Sequence, residues 1–187
     1  MTINHPGADA WAAQRRLSLL LGLGGALALA GCGSAPPRPT AGRAPAVPAT
    51  RPPLDLDPAG REASVAQAML LVNTPYRYGG NTPQGGFDCS GLVHYVFSQV
   101  AEGAARRLPR STAQWAAATV PVQEAALQRG DLVFFNTTGA TFSHMGIYVG
   151  GGQFVHAPST GGTVRKEAVA GRYFGPRYQG GRRVFAA

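Results

Sequence analysis

Ser143-His144-Met145-Gly146-Ile147-Tyr148-Val149-Gly150-Gly151-Gly152-Gln153-Phe154-Val155-His156 contains two runs rich in β-branched and aromatic residues, parted by three glycines. Such runs read as strands, and the glycines suit a tight hairpin between them. Working outward, Leu132 to Phe135, Thr163 to Glu167 and Arg183 to Phe185 carry the same strand signal, and Gly130-Asp131 marks a turn before the first. Further upstream the period changes. Arg61 to Asn73 places Val65, Met69, Leu70 and Val72 at helical spacing and stops before Pro75. Ser90 to Ala101 brings Leu92, Val93, Val96, Phe97 and Val100 onto one stripe. Ser111 and Thr112 open a third, short helix, Ala113 to Ala117. Tyr76 to Gly86, with four glycines and Pro83, reads as loop. Helices first and strands afterwards predict an α+β fold, with the N-terminal helices packed on an antiparallel sheet.

Where the glycine-rich loop meets the second helix stands Phe87-Asp88-Cys89-Ser90-Gly91. Asp88 suits the N-cap, which puts Cys89 in the first helical turn. Free backbone N–H groups and the positive end of the helix dipole favour a thiolate there. The same N–H groups can receive an oxyanion. A nucleophilic thiol also needs a base. If the quoted strands pair as a hairpin, the start of one lies beside the end of the other, so His144 and His156 share one end of the sheet. His156 can then orient His144, and His144 can exchange a proton with Cys89. His94 lies five residues after Cys89, about 500° round the helix, and reads as a packing or surface histidine. Cys89, His144 and His156 could also form an open zinc site. The helix N-terminus, which repels a cation, argues against that, and no cofactor is expected.

The N-terminus reads as an address. Arg15 and Arg16 precede an apolar run, Leu17 to Ala30, that is too short to span a bilayer comfortably. The run ends in Leu29-Ala30-Gly31-Cys32, which resembles the lipobox of bacterial lipoproteins. That resemblance implies a signal peptide over 1–31, diacylglycerol on Cys32 and an acylated amine, so the protein is exported and held at a membrane by more than one chain. Gly33 in place of Asp implies sorting to an outer membrane, facing the periplasm. With Cys32 acylated, Cys89 is the one remaining cysteine of two, a lone thiol in a compartment that permits disulfides. Residues 32–60 are rich in Pro, Ala and Thr and read as a disordered tether, because they bury too little apolar surface to offset chain entropy. Residues 61–187 form one domain by length.

That domain carries 12 Lys+Arg against 6 Asp+Glu, a net charge of +6, and all but one of its cations are arginine. A basic surface favours acidic partners such as cell-wall peptides or anionic lipids; an arginine-biased composition explains the same numbers. The extracytoplasmic address excludes nucleic acid as a partner. A monomer is expected.

The strings Thr74-Pro75-Tyr76-Arg77-Tyr78-Gly79-Gly80 and Phe87-Asp88-Cys89-Ser90-Gly91-Leu92-Val93 resemble the NlpC family of cell-wall peptidases. Leu108 to Thr112, Gly130 to Phe135, His144 to Gly150, Phe154 to Ala157, Arg177-Tyr178 and Arg182 to Val184 follow in the family's order. The likeness covers residues 62–186. It implies a compact papain-like fold with Cys89 as nucleophile, His144 as base and His156 as the third, orienting residue. It further implies that the Tyr76 hydroxyl supports the thiolate or oxyanion, and that Ser90 and Tyr78 line the substrate site. The implied reaction is amide hydrolysis in peptidoglycan stem peptides or cross-links through an acyl-enzyme, at either D-glutamyl–diaminopimelate or D-alanyl–diaminopimelate. The rival readings are a papain-like acyltransferase or amidase on another substrate, and a non-catalytic wall-binding lipoprotein.

Overall fold

The computed structural model describes residues 53–101, 107–159 and 161–186. The signal segment 1–31, Cys32 and most of the tether lie outside these residues. Helix α1 spans Gly60–Leu70, and a two-stranded ribbon of β1 (Asn81–Thr82) and β2 (Gly86–Phe87) follows. Next come α2 (Cys89–Val100) and α3 (Thr112–Ala117). The sheet strands are β3 (Val120–Val122), β4 (Leu132–Phe135), β5 (His144–Gly150), β6 (Gln153–His156), β7 (Arg165–Ala168) and β8 (Tyr178–Arg183). They form one antiparallel sheet in the order β3-β8-β4-β5-β6-β7. The fold is α+β, as the order of the elements in the chain predicts.

Alternation along the strands divides the core into two layers. Leu132 and Phe134 of β4, and Met145, Ile147 and Val149 of β5, face the helices. There they meet Leu92, Val93, Val96 and Phe97 of α2 and Val65 and Ala68 of α1. Val133, Phe135 and Phe154 point to the other face and pack with Val169 and Phe174. All four residues of β4 are buried, so this strand is central in thickness as well as in order. Its unbroken apolar run, Leu-Val-Phe-Phe, is the sequence signature of that double burial.

Three details differ from the sequence reading. Leu54 and Leu56, within the stretch read as tether, are tied to the domain. The Leu54 N–H donates to Ala118 O at 2.7 Å, and the Leu56 N–H donates to Val184 O at 3.0 Å with Leu56 itself buried. Edge strand β3 escaped the pattern because Pro121 interrupts it, a residue that edge positions tolerate. The last strand is Tyr178–Arg183, earlier than Arg183–Phe185, because its two glycines and two arginines hide it. Its pairing with both β3 and β4 is a tertiary outcome.

Candidate active site

Asp88 caps α2: its Oδ1 accepts from Gly91 N at 2.6 Å and Ser90 Oγ at 3.1 Å, and its Oδ2 accepts from Gly79 N at 2.9 Å. The first two close the helix start, and the third clamps the glycine loop onto it. The approach is so close that a Cβ on Gly91 would sit 2.0 Å from Gly80 O. Cys89 therefore begins α2 on a tightly fixed junction, with its thiol partly buried.

Strands β5 and β6 pair antiparallel with Ile147 opposite Val155 and Tyr148 opposite Phe154. In that register His144 and His156 are diagonal neighbours on one face, and His144 Nε2 lies 2.8 Å from His156 Nδ1. Gly146 makes the approach possible. A Cβ there would stand 2.6 Å from both the Phe154 ring and Val155 O, and 3.1 Å from His156 Cβ. Both rings sit among aromatics. Phe174 stacks on His144 at 5.8 Å and meets His156 edge-on at 4.9 Å, while Phe154 lies 4.8 Å from His156. His156 Nε2 is buried and has no hydrogen-bond partner, so packing holds that side of the ring.

Burial governs the ionisation of all three groups. It lowers His144 to about 4. It also lowers His156, with smaller contributions from the His144 and Arg165 charges. The Cys89 thiol is pushed up to about 11 by burial and by the Asp88 carboxylate, against the opposing pull of the Met145, Ser90 and Cys89 backbone N–H groups. Burial thus works against the thiolate that the helix start favours, and against a protonated His144.

Cys89 and His144 open onto one cavity of about 1060 Å³. Tyr76, Tyr78 and Ser90 line it as well. Tyr78 is 88% exposed at its rim. The Tyr76 hydroxyl is shifted up by burial first and then by the charges of Cys89, Asp88 and Tyr78, which places the phenol within electrostatic reach of the thiol. His94 stands apart, its Nδ1 2.9 Å from Pro109 O, and acts as a packing residue. Among the described residues no three His, Cys, Asp or Glu side chains converge as ligands of one metal ion.

Three contributors escaped the sequence reading. Phe174 closes the aromatic box, the Met145 backbone N–H reaches the sulfur, and the turn Gly171–Phe174 forms a cavity wall. Only the first had a visible signal, an aromatic residue amid glycines and arginines in a stretch with no strand or helix pattern.

A nucleophile-capable thiol, a paired histidine and a cleft on an α+β fold suit acyl chemistry, and the chain is similar to known proteins. Murein DD-endopeptidase MepH of Escherichia coli is 36% identical over 126 residues, which cover 66% of this chain and 45% of that one. Gamma-DL-glutamyl hydrolase of Bacillus subtilis is 37% identical over 128 residues, 67% of this chain and 30% of that one. The chain thus spans less than half the length of these two relatives. The crystal structure of the NlpC/p60 domain of the peptidoglycan hydrolase SagA superposes with a TM-score of 0.55 at 34% identity, covering 65% of this chain and 97% of that domain. The family pattern itself runs through residues 73–183, from the turn after α1 to the end of β8, and on that match the chain belongs to the NlpC/P60 family.

Proposed function

We propose that this protein hydrolyses an amide bond in peptidoglycan peptides, with Cys89 as nucleophile, His144 as general base and acid, and His156 as the residue that positions His144. The observation that carries the reading is the 2.8 Å contact between His144 Nε2 and His156 Nδ1 beside a cavity that also holds Cys89. With His144 Nε2–H donating to His156, the free Nδ1 of His144 accepts the thiol proton. The sulfur attacks the amide carbonyl, and the backbone N–H groups at the start of α2, with the Tyr76 hydroxyl, receive the oxyanion. His144 then protonates the leaving amine, and water, deprotonated by the same ring, releases the acyl-enzyme. Ser90 and Tyr78 bind the peptide from the cavity wall and rim. The relatives' names point to peptidoglycan and to either a DD or a γ-DL bond.

The test is digestion of purified sacculi by the wild type and by Cys89→Ala. The variant loses at least about 10³-fold of the activity; equal release of muropeptides by the two overturns the reading. Product masses distinguish cleavage at D-glutamyl–diaminopimelate from cleavage at the D-alanyl cross-link. The same proposal includes export of the chain, cleavage before Cys32 and lipid attachment at Cys32. Residues from 33 onward then tether the domain to an outer membrane on its periplasmic side. Incorporation of labelled palmitate by the wild type but not by Cys32→Ser tests that half.

A further inference from the structure

The charged groups that line the Cys89–His144 cavity can be accounted for one by one. Asp88 is spent on Gly79, Ser90 and Gly91. Arg165 and Glu167 hold each other at 2.9 Å. Arg172 also lines the cavity and, among the described residues, makes no ion pair or side-chain hydrogen bond. It is therefore the one uncompensated charge on the cavity wall, and it is positive.

The turn that carries Arg172 is braced for presentation. Gly171 N donates to Ala168 O at 3.0 Å, and Gly175 N donates to Gly171 O at 2.7 Å. The Arg177 guanidinium donates to Tyr173 O at 2.7 Å and lies over the Tyr173 ring, 4.1 Å from its centroid. Two residues beyond Arg172, Phe174 is buried against both histidines. A cation on such a turn has its backbone position fixed beside the cleft, and its planar fork suits a carboxylate.

We infer that Arg172 is a specificity residue that recognises a free carboxylate lying within about one residue of the scissile amide, so the preferred substrate is an anionic peptide rather than its amidated form. This rests on the reading of the cavity as the peptide site, and the test is a binding measurement that needs no turnover. Calorimetric titration of Cys89→Ala with a muropeptide and with the same muropeptide bearing a carboxamide for the carboxylate gives the preference directly. About tenfold tighter binding of the carboxylate form is expected. In Cys89→Ala/Arg172→Gln the preference falls to about onefold, and Arg172→Lys restores part of it. Arg165→Gln, which removes the cation already paired with Glu167, keeps the preference. Equal binding of the two peptides by the parent, or a preference that survives Arg172→Gln, overturns the inference. Failure of the sacculus digestion with carboxylate preference intact would instead overturn the hydrolytic reading alone.

Discussion

At the scale of single residues, the site is a balance between a helix start that stabilises a thiolate and burial that opposes it. Burial raises the thiol in the free protein, and in the proposed mechanism the thiol therefore relies on His144 for activation. Alkylation of Cys89 by iodoacetamide at pH 7 should therefore slow by at least about tenfold in His144→Ala, read by intact-mass labelling. Asp88 works on the same sulfur in two ways. Its oxygen caps α2 and its charge raises the thiol. Asp88→Asn keeps an acceptor for the cap and removes the charge, so the thiol pKa should fall and alkylation should quicken, measured as the pH midpoint of labelling. His144, held at about 4 by burial, stays neutral and able to accept a proton well below the ordinary histidine range. The acid limb of kcat/KM should accordingly lie near pH 4 to 5. A limb centred near 6.5 would show that the cleft stabilises the imidazolium.

At the scale of elements, the hairpin of β5 and β6 does what neither strand does alone. Gly150, Gly151 and Gly152 all adopt positive φ, the backbone that closes this turn. The pairing it sets places two histidines twelve residues apart in contact. Gly146 is the vulnerable position of the pair. A methyl there meets the Phe154 ring and a backbone carbonyl at 2.6 Å, so the strands must part. Gly146→Ala should cost about 1–3 kcal/mol in urea unfolding. It should also lower kcat more than KM, because the strand it pushes away carries His156, whose ring touches His144. Loss of stability with unchanged kcat would argue that His156 has no positioning role.

For the molecule as a whole, a buried carboxylate joins distant segments. Asp131, fully buried before β4, accepts from Arg61 of α1 at 3.2 Å, from Arg183 of β8 at 2.9 Å and from the Gln128 N–H at 2.9 Å. Removing it strands two guanidinium groups, and Asp131→Ala should cost about 3–5 kcal/mol, visible as a large drop in Tm. The histidine pair couples the fold to pH in one direction. Both rings are neutral in the folded state and held below the ordinary value of 6.5, so the unfolded chain binds protons first. Their contribution is fully present above about pH 6.5 and is lost as pH falls toward 4. Urea midpoints should decline over that window, and His156→Phe should flatten the decline.

The periodic residues of α2, the unbroken apolar run of β4 and the glycines between two β-branched runs were enough to predict helices on an antiparallel sheet. Each encodes its element locally, through the face it must bury or the turn it must close. Cys89 after a capping Asp, with two histidines flanking a hairpin, was legible for the same reason, since capping and strand pairing act over a few residues. Long-range packing decided the rest. The protonation of the thiol and imidazole depends on how deeply the aromatic box buries them, which no spacing encodes. The charge that remains free in the cleft depends on which arginines find carboxylates, and only the folded chain shows that, among the described residues, Arg165 has one and Arg172 does not. Local sequence thus determined the elements and the candidate site side chains; tertiary burial and charge pairing decided the direction of their pKa shifts and which cavity-lining arginine is paired.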